Sequence, residues 1–191
     1  MKLILASKSP RRKEILSAMG YTFEILTADC DESYEEHLTP KEAVELLARR
    51  KGEAVALSQG LLLDEETVIL SSDTLVDLEG VALGKPESAE EAMSMLRSLS
   101  GKVHYVHTGV AVRRGEKVIS GVASTAVIFH ELTEEEMQEY VDSGEPMDKA
   151  GAYGIQGGAG KFVAGIEGDF DTVVGLSARL SSRLLSEISE V

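Results

Sequence analysis

The chain has 191 residues, 43% hydrophobic and 27% charged, enough for a substantial core in one large or two small domains. With 33 acidic against 19 basic residues the formal net charge is −14, a field that repels nucleic acid and anionic lipid surfaces, so any phosphate ligand must be held by local charge. One cysteine, Cys30, excludes an intramolecular disulfide, no apolar run approaches the roughly 18 residues of a membrane span, and residues 1–20 lack a signal-peptide apolar region, so a soluble cytoplasmic protein is expected.

Lys2 to Leu5 reads as a short strand. Ser9-Pro10 follows as N-cap and first helical residue, with Ile15, Leu16 and Met19 at helical spacing. Phe23 to Leu26 is a second apolar run, so the chain opens strand, helix, strand. Residues 40–57 keep helical period after Thr39-Pro40, with Glu42 placed as a capping acid. Thr67 to Leu70 reads as a strand leading through Ser71-Ser72-Asp73-Thr74 into Leu75-Val76, and a turn at Glu79-Gly80 returns a shorter strand toward Leu83. An amphipathic helix runs from Ser88 to Leu99, and Val103–Val112 with Val118–Phe129 form a hairpin about Arg114-Gly115-Glu116. Thr133 with Glu136 is a capping box for a helix to about Val141; the apolar runs Phe162–Ile166 and Thr172–Val174 and a final helix from about Ser177 complete a mixed α/β pattern. The piece Gly151–Gly160 is rich in glycine, and no repeat or long linker divides the chain.

Four segments carry polar residues that such a fold has little structural reason to want. In the first, residues 7–12, Arg11 and Arg12 sit in the first turn of a helix, against the macrodipole, which an anion would reverse; serine hydroxyls, free N–H groups and guanidinium forks there make a phosphate site. The alternative is a solvated basic helix start. In the second, Asp73 interrupts a strand that otherwise reads as buried, so its carboxylate must meet a cation, a metal or water in a cleft. A cleft base and a strand-end aspartate paired to a structural lysine or capping a turn both remain open. Gly84-Lys85-Pro86 either presents an ammonium from a constrained loop or is an ordinary turn. Residues 148–157 place small groups at nearly alternate positions and include the amide of Gln156, which suits recognition of a base edge or a tightly packed connection.

Other patterns are set aside. Gly157-Gly158-Ala159-Gly160-Lys161 looks like a phosphate-binding loop, but Ile155 holds its leading glycine position and Phe162 its hydroxyl position. Among the run Asp29, Asp31, Glu32, Glu35 and Glu36 most side chains belong in solvent, with Glu32 reserved for a hard cation beside bound phosphates. His37, His104, His107 and His130 have no zinc-site spacing, and no nucleophile elbow is visible.

Taken together, Leu5-Ala6-Ser7-Lys8-Ser9-Pro10-Arg11-Arg12, Ser72 to Val76, Gly84-Lys85-Pro86, Ser100-Gly101 through His104 to Thr108, and Ser143-Gly144-Glu145-Pro146 through Gly157 resemble the ordered motifs of the Maf family of nucleoside triphosphate pyrophosphatases, nearly end to end. The resemblance implies an α/β fold, a mixed twisted sheet with flanking helices around a deep cleft, related to inosine triphosphate pyrophosphatases. It implies one unit over residues 1–191, with or without two lobes about that cleft. It implies hydrolysis of a nucleoside triphosphate to monophosphate and pyrophosphate with Mg²⁺ or Mn²⁺, a housecleaning role in nucleotide pools, and a homodimer. By position, Asp73 matches the proton acceptor, Ser7, Arg11, Arg12, Lys51 and Lys85 match the residues that hold the triphosphate, and Glu32 matches the metal-side acid. Arg12, Thr74 and Gln156 are similar to the branch that prefers dTTP and UTP rather than 7-methyl-GTP. One departure is Gly52, where the family usually has alanine, expected to loosen that helical turn by ~1 kcal/mol. The expected mechanism is in-line attack of water on the α-phosphorus with Asp73 as base, and the rival reading is a nucleotide-sensing regulator of cell division or stress that needs no turnover.

Overall fold

Local capping chemistry fixes most element starts. The computed structural model describes residues 2–190, so the two ends of the expected 1–191 unit lie outside the described residues. Strand β1 (Lys2–Leu5) leads to helix α1 (Pro10–Ala18), whose N-cap Ser9 accepts from the Arg12 N–H at 3.4 Å. No acidic residue stands in the first turn of α1, so nothing in that turn offsets Arg11 and Arg12. Helix α2 (Pro40–Ser58) begins with the expected reciprocal cap: Glu42 N–H donates to Thr39 Oγ1 and Thr39 N–H to Glu42 Oε2. Ser88 caps α3 (Ala89–Leu99), Thr133 and Glu136 box the start of α4 (Glu134–Asp142), and Ser177 caps the last helix, α6 (Ala178–Ser189).

Among the described residues seven strands form one sheet. β2 (Glu24–Ile25) is shorter than the run Phe23–Leu26 suggests, because Phe23 packs partly buried against the core instead of extending the strand. β3 (Thr67–Leu78) is one continuous strand of 12 residues; β4 (Val81–Leu83) returns against its end; β5 (Val103–Arg114) and β6 (Lys117–Phe129) are the long hairpin; β7 (Val163–Glu167) closes the far edge. The order is β2-β1-β3-β5-β6-β7 with β4 on β3; β1 runs parallel to β2 and β3, and all other pairs are antiparallel. Residues 172–174, an apolar run by sequence, belong to the short helix α5 (Phe170–Val174). The glycine-rich connection folds as three 3-10 turns, Glu145–Asp148, Ala150–Ala152 and Gly158–Phe162. Among the described residues no helix is long and apolar enough to cross a membrane.

The two-residue period of β3 sorts its side chains between faces. On one face Val68 and Leu70 enter a core with Leu16 of α1 and Leu180 and Leu184 of α6, while Val76 and Leu78 enter a second core with Leu96 and Leu99 of α3 and Phe162. Ser72 and Thr74 lie between the two, so a polar seam separates two apolar cores along a single strand. On the opposite face α2 covers Ile69, Ser71, Asp73 and Leu75.

Helix α2 lies close on the sheet at two points, with no side chain between them at Gly109 and with only Ser71 between them at Gly52. A Cβ on Gly109 would lie 2.4 Å from the Val44 carbonyl oxygen, and a Cβ on Gly52 would lie 2.7 Å from Ser71 Oγ. Ser71 fills that space and donates to the Ala48 carbonyl at 2.6 Å. Gly52 therefore serves a close helix–strand contact, beside the expected loosening of its turn.

His104 of β5 is wholly buried, edge-on to Phe129 with ring centroids 4.9 Å apart, and its Nε2 shares a 2.7 Å hydrogen bond with Tyr153 Oη. Its Nδ1 has no partner among the described residues, and burial pulls its pKa down to about 4. The unfolded chain takes up this proton near the ordinary imidazole value of about 6.5, the folded chain only near 4, so the contribution is intact above 6.5 and is lost as pH falls toward 4. Between pH 7.5 and 5.0 the native protein should lose roughly 2 kcal/mol more unfolding free energy in urea than a His104→Gln variant does. Equal losses would show that His104 titrates normally in the folded state.

Candidate active site

The cavity arises from a gap in strand pairing. β1 pairs with β3 as far as Leu70, and β4 pairs with β3 only from Val76 onward. Along residues 71–75 the β3 edge on that side has no strand partner among the described residues, because the chain after β1 turns away into the capped start of α1. A cavity of about 720 Å³ opens there. Ser9, Arg11 and Arg12 form one lip, Gly84 and Lys85 another, and the connection from Glu145 to Gly157 the far wall. Both Asp73 and Thr74 reach it, although they point to opposite faces of β3, since the cavity meets the strand edge-on.

Asp73 is 8% exposed and its Oδ1 accepts from Lys51 Nζ at 2.5 Å. Lys51 sits on α2 and also meets Glu32 Oε1 at 3.2 Å, so one ammonium bridges two carboxylates. No protein donor among the described residues engages Asp73 Oδ2, which leaves it to water or ligand in the cavity. The alternatives left by the sequence converge: the aspartate is paired to a lysine, and the pair lines a cleft. Cys30 lies near these charges, and burial pushes its thiol pKa up.

Arg12 is held on the other face. Its Nε donates to the Gly175 carbonyl at 2.7 Å, Nη1 to Ser7 Oγ at 3.2 Å and Nη2 to Thr74 Oγ1 at 3.3 Å. Burial lowers the guanidinium pKa and the nearby Asp73 carboxylate opposes that shift. With three of its five N–H donors spent on neutral acceptors, Arg12 is oriented by the fold and keeps its charge and two donors for a ligand. Ser7 is buried and does not line the cavity; its hydroxyl oxygen accepts from the Ser9 N–H and from Arg12. Thr74 shares a 3.0 Å hydrogen bond with Thr108, which donates to the Thr172 carbonyl at 2.7 Å.

On the remaining walls Lys85, Arg11 and Gln156 face the cavity without any salt bridge or side-chain hydrogen bond among the described residues. Lys149 is engaged by Asp148 at 2.6 Å and by the Glu145 carbonyl at 2.7 Å, and its ammonium holds the Asp148 carboxyl below the usual carboxylate range. Glu145 braces the glycine-rich wall, accepting from Tyr140 Oη at 3.0 Å and from the Gly158 N–H at 3.0 Å; Tyr140 Oη in turn accepts from the Gly154 N–H at 3.1 Å. Sequence reasoning missed this brace and the Gly175 carbonyl, which accepts from both Arg12 and Ser72. Neither has a local signal: Glu145 was visible only within a motif, and a backbone carbonyl has no residue type.

Glu32 and Asp73 are carboxylates of the kind that hold a hard divalent cation, although the centre on which they converge is taken by Lys51. Asp73 Oδ1 and Glu32 Oε1 converge on a single positive centre, Lys51 Nζ. Among the described residues no group of three or more His, Cys, Asp or Glu could hold an ion by itself. Two carboxylates that leave the remaining positions to water and phosphate oxygens are the habit of Mg²⁺ rather than of zinc.

A family model described as Maf-like protein matches residues 2–188. The dTTP/UTP pyrophosphatase of Moorella thermoacetica is 51% identical over 177 residues, covering 92% of this chain and 89% of that protein. The dTTP/UTP pyrophosphatase of a Geobacillus species is 46% identical over 190 residues, covering 100% and 98%, and that of Aliivibrio fischeri 42% over 186 residues, covering 97% of each. A solved structure, the Staphylococcus aureus Ham1 protein, aligns over 100% of this chain and 98% of its own with a TM-score of 0.49 and 14% identity, a likeness that carries no argument here. The family match spans every segment that builds the cavity, and the chain belongs to the Maf family.

Proposed function

We propose that the chain is a nucleoside triphosphate pyrophosphatase that hydrolyses dTTP and UTP to the monophosphate and pyrophosphate, a housecleaning activity on nucleotide pools. One observation carries the reading. A nearly buried carboxylate, Asp73, has one oxygen fixed by Lys51 and the other open to a cavity whose mouth presents Arg11, Arg12 and Lys85 in a chain of net charge −14. Such a cavity suits a polyphosphate, and relatives 42–51% identical bear the name dTTP/UTP pyrophosphatase.

In this reading water attacks the α-phosphorus in line, its oxygen forms the new bond to phosphorus, and the bond to the β-phosphate oxygen breaks. Asp73 Oδ2 takes the water proton, while Lys51 fixes the carboxylate rotamer from Oδ1. Lys85 and Arg11 meet the charge that accumulates on the departing pyrophosphate. Arg12 and Thr74 present one edge of the cavity and the Gln156 amide another, and these read the base. Ser7 acts through Arg12, which its hydroxyl helps orient. Glu32 would hold Mg²⁺ or Mn²⁺, which when bound supplies positive charge to the phosphate oxygens. The reading keeps a cytoplasmic homodimer without a nucleic-acid partner, supported by the acidic charge and by the family resemblance.

Pyrophosphate release measured with dTTP, UTP, CTP and GTP, in Mg²⁺ and in Mn²⁺, should be greatest for dTTP and UTP, and absence of release from all four would leave the nucleotide-sensing regulator in its place. Asp73→Asn keeps the shape but removes the base, and kcat should fall at least ~10²-fold with the melting temperature little changed. Near-normal turnover would remove Asp73 from the role. Gln156→Ala should change the ratio of kcat/KM for UTP to that for GTP while leaving thermal stability intact, because the side chain is exposed and unbonded. An unchanged ratio would take Gln156 out of base recognition.

A further inference from the structure

Lys85 reaches the cavity from the far end of a very short hairpin, and a carboxylate–imidazole–hydroxyl chain outside the cavity sets that hairpin. Asp77 of β3 accepts at both oxygens: from the Gly80 N–H at 2.7 Å by Oδ1 and from His107 Nε2 at 3.0 Å by Oδ2. A carboxylate only accepts, so Nε2 carries the proton, and in the neutral ring Nδ1 accepts from Ser124 Oγ at 2.8 Å. The His107 side chain is 2% exposed and that of Asp77 16%, so neither hydrogen bond is easily replaced by water.

The hairpin needs this brace. β4 contributes three pairs to β3, and the turn between them holds Glu79 at φ 57, a conformation that a side chain disfavours, followed by Gly80 at φ 88. Asp77 Oδ1 takes the N–H of that turn, and the chain leaving β4 runs at once into Gly84, whose carbonyl accepts from the Gly151 N–H at 3.0 Å, and Lys85. Lys85 is thus aimed by the β3–β4 turn on one side and the glycine-rich wall on the other.

We infer that His107, through Asp77, is a positioning residue for Lys85. It holds the turn that presents this ammonium to the triphosphate, and the inference rests on the pyrophosphatase reading above for what Lys85 binds. His107→Leu removes both hydrogen bonds, whereas His107→Gln retains a donor with the reach of Nε2. With dTTP as substrate, His107→Leu should lower kcat/KM about fivefold or more, chiefly through KM, and His107→Gln should stay within about twofold of the native protein. In a Lys85→Ala background the same His107→Leu change should alter kcat/KM by less than about twofold, since its effect runs through the missing ammonium. Hydrogen exchange should quicken in peptides covering 78–86 and stay unchanged in those covering 40–58. If His107→Leu does not fold, Asp77→Ala carries the same measurements. Equal losses in the native and Lys85→Ala backgrounds, or unchanged exchange in 78–86, would overturn the inference. Absence of turnover in the unmodified protein would instead overturn the pyrophosphatase reading, and the exchange result still decides whether His107 holds the turn.

Discussion

Everything at the site depends on how closely α2 lies on the sheet. Gly109 lets the Val44 carbonyl approach β5, and Gly52 leaves room for Ser71 to bond Ala48, so the helix is set on β3 and β5 at two points spaced along its length. Lys51, between those contacts, then reaches Asp73 at 2.5 Å. A buried carboxylate without such a partner would be costly, and a helix standing further off by one side-chain layer would leave it alone in the strand. The two glycines and one serine are thus as much a part of the site as the charges they bring together.

The second constraint is the pairing gap in β3. Strand partners at both ends hold the strand straight, while its middle, residues 71–75, keeps one edge open and a polar seam on the face between two apolar cores. Into that gap the fold delivers cations of two kinds. Arg12, Lys51 and Lys149 are already committed to protein acceptors and act as fixed charges. Arg11 and Lys85 have no protein partner among the described residues and are available to a ligand. A cavity that combines fixed charges with unspent ones is preorganised for a long anion, since little reorganisation accompanies binding.

The sequence made the helix starts legible because caps are local: Ser9, Thr39, Ser88, Thr133 and Ser177 each accept from an N–H three residues on. Asp73 stood out because a carboxylate breaks an apolar strand, yet its partner is 22 residues away and no spacing rule finds it. Lys51 came only through the family resemblance. Gly52 was read only for its helix propensity, because that is local whereas the approach of Ser71 is not. Ser7 looked like a phosphate ligand by position; in the fold its hydroxyl turns toward Arg12 and the Ser9 amide. The brace from Glu145 through Tyr140 to Gly154 joins side chain, side chain and backbone across a segment without regular strand or α-helix, which periodicity cannot describe.

The most direct test of this account is a crystal structure with a UTP analogue whose bridge between the α- and β-phosphates resists hydrolysis. The account places the α-phosphate within a water-bridged reach of the Asp73 carboxylate, the β- and γ-phosphates toward Lys85 and Arg11, and the uracil edge toward Gln156. A triphosphate bound with its α-phosphorus away from residue 73, or a nucleotide lodged outside the gap in β3, would contradict it.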